Sequence, residues 1–132
     1  MHRSKLSTFV IDCQLGQVAD IAAAARFWSQ ALGRPLATPT PDEGDRYRTL
    51  EGPDSEVIVL VQTVDHPSRI HLDIESDDIE AEVQRLERLG ARRVEKIRTW
   101  WVLEAPTGQR FCVVRPQRGP LGAGANQWPA GA

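Results

Sequence analysis

The 132-residue chain is poor in several things, and each shortage excludes something. It holds only two cysteines, Cys13 and Cys112, so no disulfide framework or clustered thiolate metal site is expected, and a reduced, cytoplasmic protein is the default. No apolar run approaches the roughly 18 residues that a membrane span needs. The opening Met1-His2-Arg3-Ser4 leads into a strand-like stretch and not into a signal peptide. The net charge is −2 with no basic stripe, which argues against nucleic acid as a partner. No glycine-rich phosphate loop, CxxC pair or Ser/His/Asp arrangement is discernible. What remains is ordinary: 41% hydrophobic and 26% charged residues, the composition of one globular domain that buries roughly two-thirds of its unfolded surface.

The most informative stretch runs from His71 to Pro116. Its opening alternates, with His71, Asp73 and Glu75 on one face and Leu72 and Ile74 on the other. A helix follows, with Asp77 as its expected cap and Glu80 closing a capping box. Ile79, Val83, Leu86 and Leu89 form an apolar stripe, and Gly90 suits a left-handed C-terminal cap. Arg85, Arg88, Arg92 and Arg93 gather near the end of that helix, where the dipole favours cations, and read as a solvated helix end. Strands are expected over Arg92–Lys96, Thr99–Glu104 and Arg110–Arg115. Ala105-Pro106-Thr107-Gly108 forms the turn before the last of them.

The first half repeats this order. Ser7–Gln14 reads as a strand and Asp20–Leu32 as an alanine-rich helix capped by Asp20 and ended by Gly33. Leu36–Thr38, Arg46–Leu50 and Glu56–Thr63 read as strands, and the continuously apolar Val57–Val61 suits burial on both faces. The halves are therefore two βαβββ modules, 7–63 and 70–116, joined through 64–69. Residues 117–132 form a Gly/Pro/Ala-rich tail expected to be irregular, with Trp128 as its anchor. His2 and His66 fall at the terminus and in the linker.

With this pattern, VIDC (Val10–Cys13), RFWSQALG (Arg26–Gly33), HLDI (His71–Ile74), the RLxxLGA run of the second helix and APTGQRFCVV (Ala105–Val114) resemble glyoxalase-like proteins of the vicinal oxygen chelate superfamily. This is the glyoxalase, bleomycin resistance and dioxygenase superfamily, and the likeness is to a compact branch common in actinobacteria. The resemblance covers about Ser7 to Pro116. It implies an α+β fold in which two βαβββ modules form a curled mixed sheet around a cleft, and it implies a homodimer. In metal-dependent members, four ligands come from the first and last strands of the modules. By position these fall on Thr8, Val59, His71 and Cys112, of which Val59 cannot bind a metal and Thr8 is a poor ligand. The expectation is a protein without a tightly held metal, a divalent ion being the lesser alternative.

The resemblance places the non-helix face of the sheet in the cleft, which strand alternation fills with Asp12, Val59, Asp73, Glu75 and Arg110 around His71 and Cys112. His71 fits a general base or ligand-orienting donor, or a histidine that merely fixes a strand pair. Cys112 fits a nucleophile served by His71, or a small inert hydrophobe. Trp100 and Trp101 are adjacent on a strand and point to opposite faces, so one is expected to pack under a helix or a partner and the other to wall the cleft beside Arg110 and Tyr47 or Arg48. The expected function is binding of a small organic molecule, for sequestration or for unassigned chemistry. The rivals are a metal-dependent lyase, isomerase or dioxygenase, and a non-catalytic interaction module.

Overall fold

The computed structural model describes residues 1–17 and 19–132. Among the described residues, eight strands, with parallel and antiparallel pairings mixed, and two helices give an α+β fold. The chain forms two compact units. One is contiguous, Thr8–His71; the other is split, joining Met1–Ser7 to Leu72–Ala132. No described helix is long and apolar enough to cross a membrane.

In the contiguous unit, β1 (His2–Gln14) contributes its second half and runs parallel to β3 (Ile58–Val64), with Thr8 opposite Ile58 and Gln14 opposite Val64. Strand β2 (Tyr47–Leu50) pairs antiparallel with the far edge of β3. The strand expected at Leu36–Thr38 shrinks to a single bridge, Leu36 to Leu50. Helix α1 (Ile21–Leu32) starts where expected: the Asp20 carboxylate accepts from the Ala23 amide at 2.8 Å. It ends at Gly33, whose φ of 67° is the left-handed conformation that glycine adopts without penalty. Ile21 and Ala24 pack on Ile11, Cys13, Leu50, Val59 and Val61, with Trp28 at the margin. The small alanines let the helix approach the sheet closely.

In the split unit, β4 (Arg69–Ser76) runs parallel to β7 (Arg110–Val114), β7 pairs antiparallel with β6 (Trp100–Glu104), and β6 with β5 (Arg92–Ile97). Helix α2 (Ile79–Arg88) lays Val83 on Leu103 and Val113, flanked by Ile79, Leu86, Trp101 and Phe111. Its cap is Asp78, which accepts from the Ala81 amide at 3.0 Å. The expected cap, Asp77, instead accepts from the Arg3 amide at 2.8 Å, and Glu80 pairs with Arg93 and not with a cap. Either adjacent aspartate can cap a helix; the one with the capping-box spacing to Glu80 is taken by the Arg3 amide of β1, and its neighbour caps. Leu89, expected in the apolar stripe, is two-thirds exposed because the helix has already ended.

The tail departs from the irregular segment expected over 117–132. Asn126–Trp128 is a strand, β8, paired antiparallel with His2–Ser4. Trp128 is indeed its anchor. The indole Nε1 donates to Ser4 Oγ at 2.9 Å, and the Arg85 guanidinium lies 3.9 Å over the ring. Arg3 donates to the carbonyls of Leu121 and Gly122. Strand β1 therefore begins five residues earlier than its β-branched core suggests, since pairing with β8 supplies partners that composition does not reveal.

Candidate functional site

Strand parity decides which side chains share a face. In the split unit, α2 covers Phe111, Val113 and Trp101. Alternation then turns Arg110, Cys112 and Trp100 to the opposite face. Asp73 stands directly across from Cys112 and Glu75 across from Val114, so both carboxylates share the Cys112 face. Glu75 is buried there, while Asp73 and Cys112 are partly buried. The two tryptophans thus separate as their adjacency requires. Trp101 lies under α2, capped by the Arg93 guanidinium 4.9 Å from its ring centre, and Trp100 is turned away.

Arg110 does not stand alone. Its Nε donates to Glu104 at 3.3 Å, and Glu104 also accepts from Arg92 at 2.9 Å. The hydrogen bonds from Arg92 and then Arg110 hold the Glu104 carboxyl below its usual range. The four arginines expected as a solvated helix end are also engaged. Arg85 clasps Glu82, Arg88 donates to the Ala132 carbonyl, Arg92 meets Glu104, and Arg93 bridges Glu80 and Glu87.

In the contiguous unit, the face away from α1 carries the most distinctive pair. Asp12, 2% exposed, meets His71 Nδ1 through Oδ2 at 2.7 Å. Arg69 Nε lies 3.8 Å from the same oxygen, too far for a hydrogen bond. Asp12 Oδ1 is buried and has no hydrogen-bond partner among the described residues. Sequence reading placed both residues on one face but missed that the carboxylate holds the ring. The only signal available was parity, which gives a face and no distance across strands.

Val59 corrects the sequence reading. It lies in the core beneath α1, 7% exposed, and not on the opposite face. Residues 57–61 are all apolar, so no alternation sets their phase, and a one-residue slip exchanges the faces. The residues that do share the other face, Ile58 and Leu60, are hydrocarbons too. Thr8, paired with Ile58, is buried.

The family's four-ligand pattern is therefore not met by these residues, since the position on β3 offers no donor under either register. Among the described residues of the split unit, Asp73 on β4 and Cys112 on β7, which stand opposite one another, are groups that could serve a metal ion. Cys13, by contrast, faces α1. Burial and the neighbouring Asp12 charge push its thiol up, against a hydrogen bond from Trp28, so it is a poor nucleophile. Tyr47 and Arg48 lie on the edge strand β2, where Arg48 donates to the carbonyls of Gly44 and Tyr47.

A recess of about 240 Å³ runs along α2, lined by His2, Asp78, Ala81, Gln84, Arg88 and Ala130; none of the expected site residues lines it.

Comparison with known proteins agrees with the element order. A hypothetical protein from Bacillus halodurans C-125 superposes with a TM-score of 0.61 at 17% identity, over 90% of this chain and 99% of its own. Methylmalonyl-CoA epimerase from Mycobacterium tuberculosis superposes with a TM-score of 0.60 at 20% identity, over 85% of this chain and 87% of its own. At such identities the likeness shows the fold alone. No curated protein sequence matches. The family model described as glyoxalase-like domain matches residues 8–114, nearly all of both modules. By that match, the chain belongs to the glyoxalase-like domain family.

Proposed function

We propose that this protein binds a small organic molecule, without a tightly held metal, on the sheet face carrying Asp73, Glu75, Arg110 and Cys112. The observation that carries the reading is the chemistry of that face in the split unit. Turned away from α2, it presents three carboxylates (Asp73, Glu75 and Glu104), a thiol and the Arg110 guanidinium paired with Glu104, beside the indole of Trp100 and the hydrocarbon of Val102 and Val114. A few convergent polar groups among apolar ones is the usual make-up of a small-molecule site. Trp100 supplies the planar wall. The family resemblance favours a homodimer.

The test pairs two measurements on the purified protein. Elemental analysis after dialysis is expected to find well under one equivalent of Zn, Ni, Fe or Mn. A screen of planar carboxylates and phenols, read by tryptophan fluorescence, is expected to yield a ligand whose signal is largely lost in Trp100→Leu and retained in a folded Trp101→Leu. A signal lost only in Trp101→Leu would overturn the assignment of the wall. Stoichiometric metal that survives dialysis and disappears in His71→Ala would shift the reading to a metal-dependent lyase, isomerase or dioxygenase. A protein that holds neither metal nor ligand is an interaction module.

A further inference from the structure

We propose that the sheet face of the split unit selects organic cations, with an ammonium group of the ligand at the Glu75 carboxylate and its hydrocarbon against Trp100. This rests on the small-molecule reading above and deepens it by naming the charge class of the ligand.

Two independent observations meet on this face. The first is its charge. The register of β5 on β6 sets Arg92 opposite Glu104, Glu95 opposite Val102 and Ile97 opposite Trp100, so all three side chains join the face turned away from α2. Glu95 is thus a fourth carboxylate, and four carboxylates stand against the guanidinium groups of Arg92 and Arg110, a formal surplus of two negative charges. Both guanidinium groups donate to Glu104, at 2.9 and 3.3 Å. Glu104 lies four residues along β6 from Trp100, about 13 Å, so the positive charge is gathered at the far end of the face.

The second is Glu75 itself. It is 3% exposed, yet it has neither a hydrogen bond nor an ion pair to any described residue. Glu82, equally buried, is bonded to both His2 and Arg85. Glu75 stands opposite Val114, and Trp101 opposite Val113 brings Trp100 level with Val114. Carboxylate and indole therefore flank Val114, two strand spacings or about 10 Å apart at the backbone. Asp73, Trp100, Val102 and Cys112 are partly exposed, so solvent reaches the face. A buried carboxylate without a counter-charge is costly, and a ligand cation offsets that cost. The indole face attracts the same cation.

The first measurement needs no ligand. Glu75→Gln keeps the shape of the side chain and removes its charge, so the thermal midpoint at pH 7 is expected to rise by about 2 °C or more. An unchanged or lowered midpoint overturns the proposal, because the Glu75 charge is then compensated within the chain.

The second measurement titrates three probes of one shape, 2-phenylethylammonium, 2-phenylethanol and 3-phenylpropanoate, followed by amide chemical shifts at fixed ionic strength. The ammonium is expected to shift the amides of residues 73–75, 100 and 112–114 at about tenfold lower concentration than the alcohol, because its hydrogen bond to a carboxylate is charge-assisted. Glu75→Gln is expected to lose most of that preference, and Trp100→Leu to weaken ammonium and alcohol alike. Equal binding of ammonium and alcohol, or a preference for the carboxylate, overturns the cation class while leaving the small-molecule reading intact. A preference retained in folded Glu75→Gln, or shifts centred on other acidic residues such as Asp42 to Asp45, overturns the assignment to Glu75. Binding of none of the three overturns the cation class and counts against the small-molecule reading as well.

Discussion

Among the described residues, two histidine–carboxylate pairs have a buried carboxylate, one in each unit, and they are built differently. In the split unit, Glu82 is fully buried and every oxygen is engaged. Oε1 meets His2 Nε2 at 2.8 Å and Arg85 Nε at 2.8 Å, and Oε2 accepts from Arg85 at 2.9 Å. Arg85 in turn stacks on Trp128. In the contiguous unit, Asp12 has one oxygen on His71 and the other unpartnered. A buried charge that is wholly compensated fixes a structure; one that is half compensated keeps electrostatic capacity in reserve for something else. The contrast separates a fastening from a candidate working group without any appeal to function.

Five experiments would break or sharpen that contrast. Glu82→Ala should have the largest effect, costing about 4 kcal/mol in urea denaturation, because it strands the Arg85 cation against the indole. A loss below 1 kcal/mol would show that the network is not structural. The pair also gives the stability a pH dependence. Burial pushes the Glu82 carboxyl up, but hydrogen bonds from Arg85, His2 and Ser4 outweigh it and leave the group below its ordinary range. A depressed carboxylate stabilises the fold fully above its unfolded value, about 4.3. That stability drains away as pH falls through the lower folded value. Glu82→Gln should therefore flatten the acid limb of the stability curve.

Trp128→Ala should come next, at about 2 kcal/mol, by removing the bond to Ser4 and the stacked guanidinium together. Asp12→Asn should cost only about 1 kcal/mol in the same assay, since amide and carboxylate are isosteric and one oxygen already lacks a partner. A cost equal to that of Glu82→Ala would erase the distinction between the pairs. The smallest effect is kinetic. A thiol reagent should label Cys112 before Cys13, whose thiol is raised and lies under α1. Cys112→Ser should remove the faster phase, and labelling of Cys13 first would contradict the packing.

Much of this molecule was legible in its sequence. Period and punctuation carried both helices, their glycine ends and the hairpin at Ala105–Gly108, where the Gly108 amide bonds the Ala105 carbonyl at 2.8 Å. Alternation in HLDIES and RFCVV gave the faces of β4 and β7, because polar and apolar residues alternate cleanly there. It failed on β3, where every residue from 57 to 61 is hydrocarbon and the phase of Val59 is undetermined. It also failed wherever the partner is remote in sequence. His2 looked like a terminal residue because Glu82 is eighty positions away, and β8 looked irregular because its strand partner is at the opposite end of the chain. The Asp12–His71 bond belongs to the same class: composition names both residues, but only the paired strands bring them within 2.7 Å.

The split unit also has a temporal meaning. Thr8–His71 is one unbroken stretch, so during synthesis all of its contacts are available once its last strand has left the ribosome. The other unit cannot close then. His2 and Ser4 wait for Asn126–Trp128, Trp128 lying 124 positions after Ser4. Residues 2–4 stay unpaired with β8 until that segment is made, and closing so long a loop carries an entropic cost. Truncations that stop before Asn126 should therefore resemble the nascent chain, with the contiguous unit formed and the first strand still waiting for its partner.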